Sequence, residues 1–194
     1  MTRVSIIGAT GSLGRVVTNL LLDETDVELK LFARSAASLP DSDRVEKIGA
    51  SVSDRQALEE AIQGADVVFA SLSGNLPSMV SDIIAAMGVV GVQRIIWISS
   101  YGIYGELPDQ NGQVAGILQP YRQAADILEA SDLDYTILRP AWFDDSKLRS
   151  YHLIPKGEIV DSNHISRLAI ADFVKELVLN PNKYIKVNLA IVRD

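Results

Sequence analysis

The 194-residue chain contains no cysteine. That excludes a disulfide framework, a thiolate metal centre and a cysteine nucleophile together. Histidine is nearly as scarce. His152 and His164 stand apart, form no His-x3-His pair and leave little from which to build a zinc site, so no metal is expected. Basic charge is also short, with 18 Lys and Arg against 25 Asp and Glu and a net charge of −7. Binding a phosphate backbone needs a basic face, so nucleic acid is not an expected partner. No apolar run approaches the roughly 18 residues that span a bilayer. The first residues run into a strand pattern rather than the charged and apolar regions of a signal peptide. The expectation is a cytoplasmic protein with no membrane partner.

What is present is ordinary globular composition, 47% hydrophobic and 22% charged. The length suits one domain over 1–194. Val4-Ser5-Ile6-Ile7 is a short apolar strand that stops at Gly8. From Ser12 onward, Leu13, Val16, Val17, Leu20 and Leu21 follow the helical stripe. Strands are predicted over 27–33, 44–48 and 66–70. A helix over 54–63, capped by Ser53 or Asp54, separates the last two. Met79, Val80, Ile83, Ile84 and Met87 stripe a further helix that ends near Gly88. Ile95-Ile96-Trp97-Ile98, within a strand over 94–99, is the continuous apolar run of a strand covered on both faces.

A polar loop over 102–116, a helix over 121–131 and a strand over 134–138 follow, the strand stopping at Arg139-Pro140. Residues 141–165 read as an irregular, substrate- or partner-facing region. A helix over 166–179 and a strand over 184–192 close the chain. Strands alternating with helices predict an α/β fold: a doubly wound Rossmann-type domain with a mostly parallel sheet and right-handed crossovers. Ligands of such sheets sit beyond the carboxyl ends of the strands, where strand order switches. The loops over 8–14, 33–38, 71–76 and 99–116 are expected to open there.

The turn Gly8-Ala9-Thr10-Gly11-Ser12-Leu13-Gly14 follows a strand and opens a helix, the context that gives a GxxGxxG string its meaning. Gly8 and Gly11 permit tight turning and close approach of N–H groups to a pyrophosphate. Gly14 lets the helix pack near the strand, and the helix N-terminus offers free donors to phosphates. A glycine turn without a ligand is the alternative, but glycine in a first helical turn costs stability. About 20 residues further on stands Arg34-Ser35, where an acidic residue would bind the ribose of NAD and an arginine accommodates the 2′-phosphate of NADP. Arg34, with Ser35 and Arg15, therefore favours NADP(H), with NAD(H) possible. The alternative is a solvated surface arginine.

The chain resembles the atypical short-chain dehydrogenase/reductase superfamily in its NmrA-like, NAD(P)H-binding branch. The resemblance runs almost end to end. It rests on GATGSLGR at 8–15, FARS at 32–35, the SVSDRQAL stretch, ADVVFASLSG at 65–74, WISSYGIYG at 97–105 and LDYTILRPAW at 133–142. It implies that Gly8, Thr10, Gly11, Ser12, Leu13 and Gly14 carry the pyrophosphate and Arg34 the 2′-phosphate. Ser71, Leu72, Ser73 and Gly74 would face the ribose and nicotinamide. Where relatives often have an Asp followed by Val or Leu to contact the adenine amine, this chain has Ser51-Val52.

The superfamily's catalytic Tyr-x3-Lys has no counterpart by spacing. Tyr101, Tyr104, Tyr121, Tyr135, Tyr151 and Tyr184 are followed four positions later by Gly105, Pro108, Ala125, Arg139, Pro155 and Asn188. Lysine normally lowers the tyrosine pKa for proton transfer; a free tyrosine near pKa 10 is a poor acid-base group. Arg122-x3-Asp126 occupies the place of the relatives' Lys-x3-Glu. Arg122 beside Tyr121 would supply positive charge, or else pair with Asp126 at helical spacing. Ser99 and Ser100, ending the central strand, either hydrogen-bond an acceptor carbonyl or simply begin a loop. Tyr101 and Tyr104, and Trp142 and Phe143, are candidates for lining the acceptor pocket, the last two alternatively covering the sheet edge.

The resemblance, with these residues, implies an NADP(H)-dependent oxidoreductase moving hydride to a small planar acceptor such as a quinone or flavin, whose product anion takes its proton from water. A non-catalytic NADP(H)-binding redox sensor is the second class. A sugar-nucleotide-type epimerase or dehydratase depends more heavily on the Tyr-Lys pair. The expected partner is a small-molecule acceptor, and the chain is expected to be a monomer or homodimer.

Overall fold

Along Arg94–Ile98 (β5), Ile96 and Ile98 face one apolar layer while Ile95 and Trp97 face another, and all four are buried. This strand lies inside a sheet covered on both sides. The computed structural model describes residues 1–193; Asp194, the last residue of the expected 1–194 domain, lies outside them.

The remaining strands are Arg3–Ile7 (β1), Glu28–Phe32 (β2), Val45–Ile48 (β3), Val67–Ala70 (β4), Asp134–Pro140 (β6), Trp142–Asp144 (β7), His152–Pro155 (β8), His164–Ser166 (β9) and Val187–Val192 (β10). Five α-helices connect them: Ser12–Glu24 (α1), Arg55–Ile62 (α2), Leu76–Val90 (α3), Gln119–Glu129 (α4) and Arg167–Leu179 (α5). The main sheet runs β3-β2-β1-β4-β5-β6-β10-β8, parallel throughout except that β8 is antiparallel to β10. Residues of α1 and α5 pack with Val4, Ile6 and Phe69 on one face; those of α2, α3 and α4 pack with Ile7, Phe32 and Val68 on the other. This is the doubly wound arrangement expected. The chain winds outward from β1 through β2 to β3, then returns to β4 on the opposite side of β1. A crevice opens at that reversal of strand order.

Local chemistry explains several boundaries. Asp54 caps α2, its Oδ1 accepting from the Ala57 amide at 3.1 Å. Ser166 Oγ caps α5 by accepting from the Ala169 amide at 2.9 Å. Three expectations need correction. Residues 141–165 are irregular only in part: β7 pairs in parallel with β9 as a separate two-stranded sheet and β8 extends the main sheet, with turns and irregular chain between them. Their partners are distant in sequence, as with His152 opposite Val192, so no local alternation announces them. Strand β6 does not stop at Leu138, because Arg139 and Pro140 still pair with Ala190 and Ile191 of β10. The last strand starts at Val187 rather than Tyr184, since Tyr184 and Lys186 both hold a φ of 55° that breaks an extended run.

Candidate functional site

At the β1/β4 reversal the backbone comes very close to itself. Gly8 has a φ of +90°, and a Cβ built there would lie 2.2 Å from the Ser71 carbonyl oxygen at the end of β4. Only glycine meets both demands. Gly14 is held for a different reason: its Cβ would come within 2.3 Å of the Gly8 carbonyl oxygen, so α1 lies directly against the turn. Gly11 is the N-cap of α1 and has no side chain to spend on the first-turn amides, in contrast to Asp54 and Ser166 at α2 and α5. Those amides are therefore available to a ligand.

A groove of about 470 Å3 opens over this turn. Gly8, Thr10 and Gly11 form its floor. Arg34 and Ser35 stand at the end of β2, Ser51 and Val52 after β3, and Ser71, Leu72, Ser73 and Gly74 after β4. The structure thus brings eleven of the fourteen expected cofactor residues to one cleft. The other three stand differently: Ser12 is exposed at the start of α1, while Leu13 and Gly14 are buried, Leu13 among core side chains. Leu13 can offer a ligand only its backbone.

The loops around the groove are tied together. Ser35 Oγ donates to Thr10 Oγ1 at 3.2 Å, and Arg15 Nε donates to the Thr10 carbonyl at 3.1 Å. Arg34 is exposed, and its side chain makes no hydrogen bond or ion pair with the described residues. A free guanidinium at the rim is suited to a phosphate, which it can grip in bidentate fashion. Ser51 turns its hydroxyl toward Ser53 Oγ at 3.0 Å. Phe32, Ala33, Ala50 and Met79 also line the groove without having been expected as cofactor residues, and Ala50 and Met79 add to the apolar lining given by Val52 and Leu72. Met79 was visible only as part of a helical stripe.

The expected catalytic residues do not line that groove. Ser99 and Ser100 follow β5, which pairs with β4 as far as Trp97 opposite Ala70, so they leave the same sheet edge as residues 71–74. Ser99 is 5% exposed, and its Oγ is buried without a hydrogen-bond partner among the described residues. A buried hydroxyl left unpaired is costly, and a ligand carbonyl would satisfy it. Ser100 Oγ donates to the Tyr101 carbonyl at 3.1 Å.

Tyr121 and Arg122 form no acid-base pair. The Tyr121 hydroxyl makes no hydrogen bond with the described residues. Arg122 Nε donates to both carboxylate oxygens of Asp126 at 2.9 and 2.8 Å, and its guanidinium lies 4.6 Å from the Tyr104 ring centroid. The ion-pair alternative for Arg122 is the one observed. Lys156 does approach a tyrosine, but its ammonium lies 4.4 Å from the centroid of the Tyr104 ring and pairs with Glu129 at 2.6 Å. Burial, helped by Glu129, pushes the Tyr104 hydroxyl well above its ordinary pKa. That is the wrong direction for an acid-base tyrosine. Trp142 is 69% exposed, whereas Phe143 packs on the core with Arg167 stacked at 5.0 Å. His152 and His164 are both exposed and neither borders the groove.

A second cleft, of about 400 Å3, opens at the opposite end of the sheet between Arg3, Glu28, Lys30 and Arg44. Its basic groups are already engaged: Arg3 pairs with Glu28, Lys30 Nζ donates to the carbonyls of Glu60 and Gln63, and Arg44 donates to those of Leu22, Thr25 and Val27. It closes helix ends rather than offering a site.

Known proteins match this geometry. The family described as NAD(P)H-binding matches residues 8–181. A Rossmann-fold NAD(P)-binding family protein from Shigella flexneri superposes with a TM-score of 0.88 at 35% identity, covering 100% of this chain and 94% of that one. A wide-type short-chain dehydrogenase/reductase from Veillonella parvula, solved in complex with NADP, gives a TM-score of 0.91 at 27% identity over 99% and 94% of the two chains. The (4-alkanoyl-5-oxo-2,5-dihydrofuran-3-yl)methyl phosphate reductase of Streptomyces griseus is 29% identical over 75% of this chain, which spans 49% of that relative's length.

Proposed function

This chain belongs to the NAD(P)H-binding family, and from that premise we propose that it is an NADP(H)-dependent oxidoreductase that passes hydride to a small planar acceptor such as a quinone or flavin. The observation that carries the cofactor half is the free Arg34 guanidinium at the rim of a groove floored by Gly8, Thr10 and Gly11. The bound dinucleotide supplies a hydride donor. The α1 amides hold its pyrophosphate, Arg34 and Ser35 its 2′-phosphate, and Val52, Leu72 and Met79 give an apolar wall for the adenine. Residues 71–74, which line the same groove after β4, would hold the other half of the cofactor.

Just beyond β5, Ser99 Oγ, buried and unpaired among the described residues, donates to a carbonyl oxygen of the acceptor. Arg122 is held by Asp126 and the Tyr104 hydroxyl titrates too high, so neither takes part in proton transfer. The proton comes from water. A quinone or flavin tolerates this because its reduced anion is readily protonated. The reductase name of the Streptomyces relative, whose stated substrate carries a conjugated oxo-dihydrofuran ring, supports a planar carbonyl acceptor.

A second reading, an NADP(H)-binding sensor without turnover, draws on the same engaged Arg122 and high-titrating Tyr104. Calorimetric titration tests what both readings share. NADPH is expected to bind at least about tenfold tighter than NADH, since a charge-assisted phosphate contact contributes on the order of 1.5–3 kcal/mol. Equal affinities would remove Arg34 from the site.

A further inference from the structure

Glu106 is 6% exposed and lies in the loop that follows Ser99 and Ser100. Its Oε1 accepts the Gly102 amide at 2.9 Å, and its Oε2 the Tyr104 amide at 2.7 Å. The same Oε1 receives Nη1 of Arg139, which is fully buried at the end of β6. Arg139 Nε in turn donates to Asn188 Oδ1 of β10 at 2.8 Å. The Glu106 carbonyl accepts the Val160 amide at 3.0 Å. One carboxylate therefore joins the segment leaving β5 to β6, and through Arg139 to β10. Gly102 and Gly105 hold φ values of +77° and +71°, the left-handed turns that aim the loop amides inward.

A buried ion pair of this kind is weak evidence for stability, because apolar replacements of such pairs are often neutral or better. What it does supply is geometry. The loop's first residues, Ser99, Ser100 and Tyr101, hang from β5 on one side and from this carboxylate on the other. We propose that Glu106 is a positioning residue for the reacting end of the groove: by gripping the Gly102 and Tyr104 amides against Arg139, it sets the backbone that presents Ser99 and Ser100 beside the nicotinamide and acceptor. The proposal rests on the cofactor reading above. It assigns the loop a rigid role, since a site loosened by about 1 Å loses its effect.

The test is Glu106→Gln, which keeps the size but faces the donors around it with an amide nitrogen. Three quantities are measured on the full chain: the affinity for adenosine 2′,5′-bisphosphate, hydrogen exchange at the Gly102 and Tyr104 amides, and the fluorescence lifetime of bound reduced nicotinamide. Exchange should accelerate, and bisphosphate affinity should stay within about twofold. The lifetime gain on binding should fall to about half or less, because the ring is no longer held against an ordered loop. If Glu106→Gln does not fold, the double variant E106Q/R139M removes the stranded guanidinium and leaves the loop equally unclamped.

A lifetime unchanged in the face of faster exchange overturns the proposal. So does a parallel loss of bisphosphate binding, which would make Glu106 a general support of the fold. Failure of the parent protein to bind NADPH would sink the cofactor reading instead, and is seen before any variant is made.

Discussion

Gly8 lies so near Ser71 that the smallest side chain at position 8 would drive its Cβ to 2.2 Å from the Ser71 carbonyl oxygen. The contact joins the two strands at which the chain reverses direction across the sheet, and the obstacle is backbone that cannot swing aside. Gly8→Ala combines this clash with a φ of +90° and should cost on the order of 3 kcal/mol of stability. Gly11 has no positive φ and its Cβ would meet the Gly8 carbonyl oxygen at 3.2 Å, a tight contact but one a small shift relieves. Gly11→Val should therefore fold yet lose NADPH binding, as its branched side chain fills the phosphate position. Thermal unfolding and calorimetric titration of both variants check this. A soluble Gly11→Val that binds NADPH normally would displace the cofactor from this turn.

Arg34 offers a cleaner dissection, because its side chain supports nothing else among the described residues. Arg34→Ala should erase the preference for NADPH over NADH, about tenfold or more in the parent, and leave NADH affinity within about threefold. Loss of both affinities together would mean that Arg34 shapes the groove rather than reads the phosphate.

The sequence foretold much of this groove because its parts are local. A glycine turn between a strand and a helix, or an arginine at a strand's end, carries its meaning within a few residues. The loop beyond β5 was harder to read because its contacts are remote. Glu106 stands in a polar loop with nothing nearby to mark it, and its partner Arg139 lies 33 residues away. The one hint was an arginine ending the otherwise apolar run Tyr135-Thr136-Ile137-Leu138. Strands β7 to β9 were unreadable for the same reason, as was the start of β10, where Thr136 Oγ1 donates to the Tyr184 carbonyl at 2.7 Å within a turn no local pattern signals.

Tyr121 and Arg122 test whether a dyad hides at the start of α4. With Arg122 engaged by Asp126 and Tyr104, Tyr121→Phe should retain hydride transfer within about tenfold, against the 10²–10⁴ that removal of a general acid usually costs. Steady-state rates with an acceptor-saturated enzyme decide it. A thousandfold loss would restore the dyad and end the account of a proton taken from water.

Acid should weaken the fold through two carboxylates in particular. Hydrogen bonds from Arg149 and Lys175 hold Glu24 down to about 2, from an ordinary 4.5. The Ser146 side chain and amide, with Arg193, hold Asp144 down to about 2 from 3.8. A folded-state pKa below the unfolded one gives stability that is complete above the unfolded value and lost as pH falls through the folded one. The thermal midpoint should therefore decline between about pH 4.5 and pH 2. Glu24→Gln and Asp144→Asn should each flatten that decline while lowering the midpoint at neutral pH. A variant that keeps the parent's full acid slope would exclude its carboxylate as a cause.

The most direct test is NADPH oxidation followed in the presence of a panel of quinones and free flavins, with NADH run in parallel. The account predicts acceptor-dependent oxidation of NADPH, slower with NADH, and strongly reduced in Ser99→Ala while NADPH binding persists. Tight NADPH binding with no oxidation by any acceptor of the panel would contradict it and leave the sensor reading in its place.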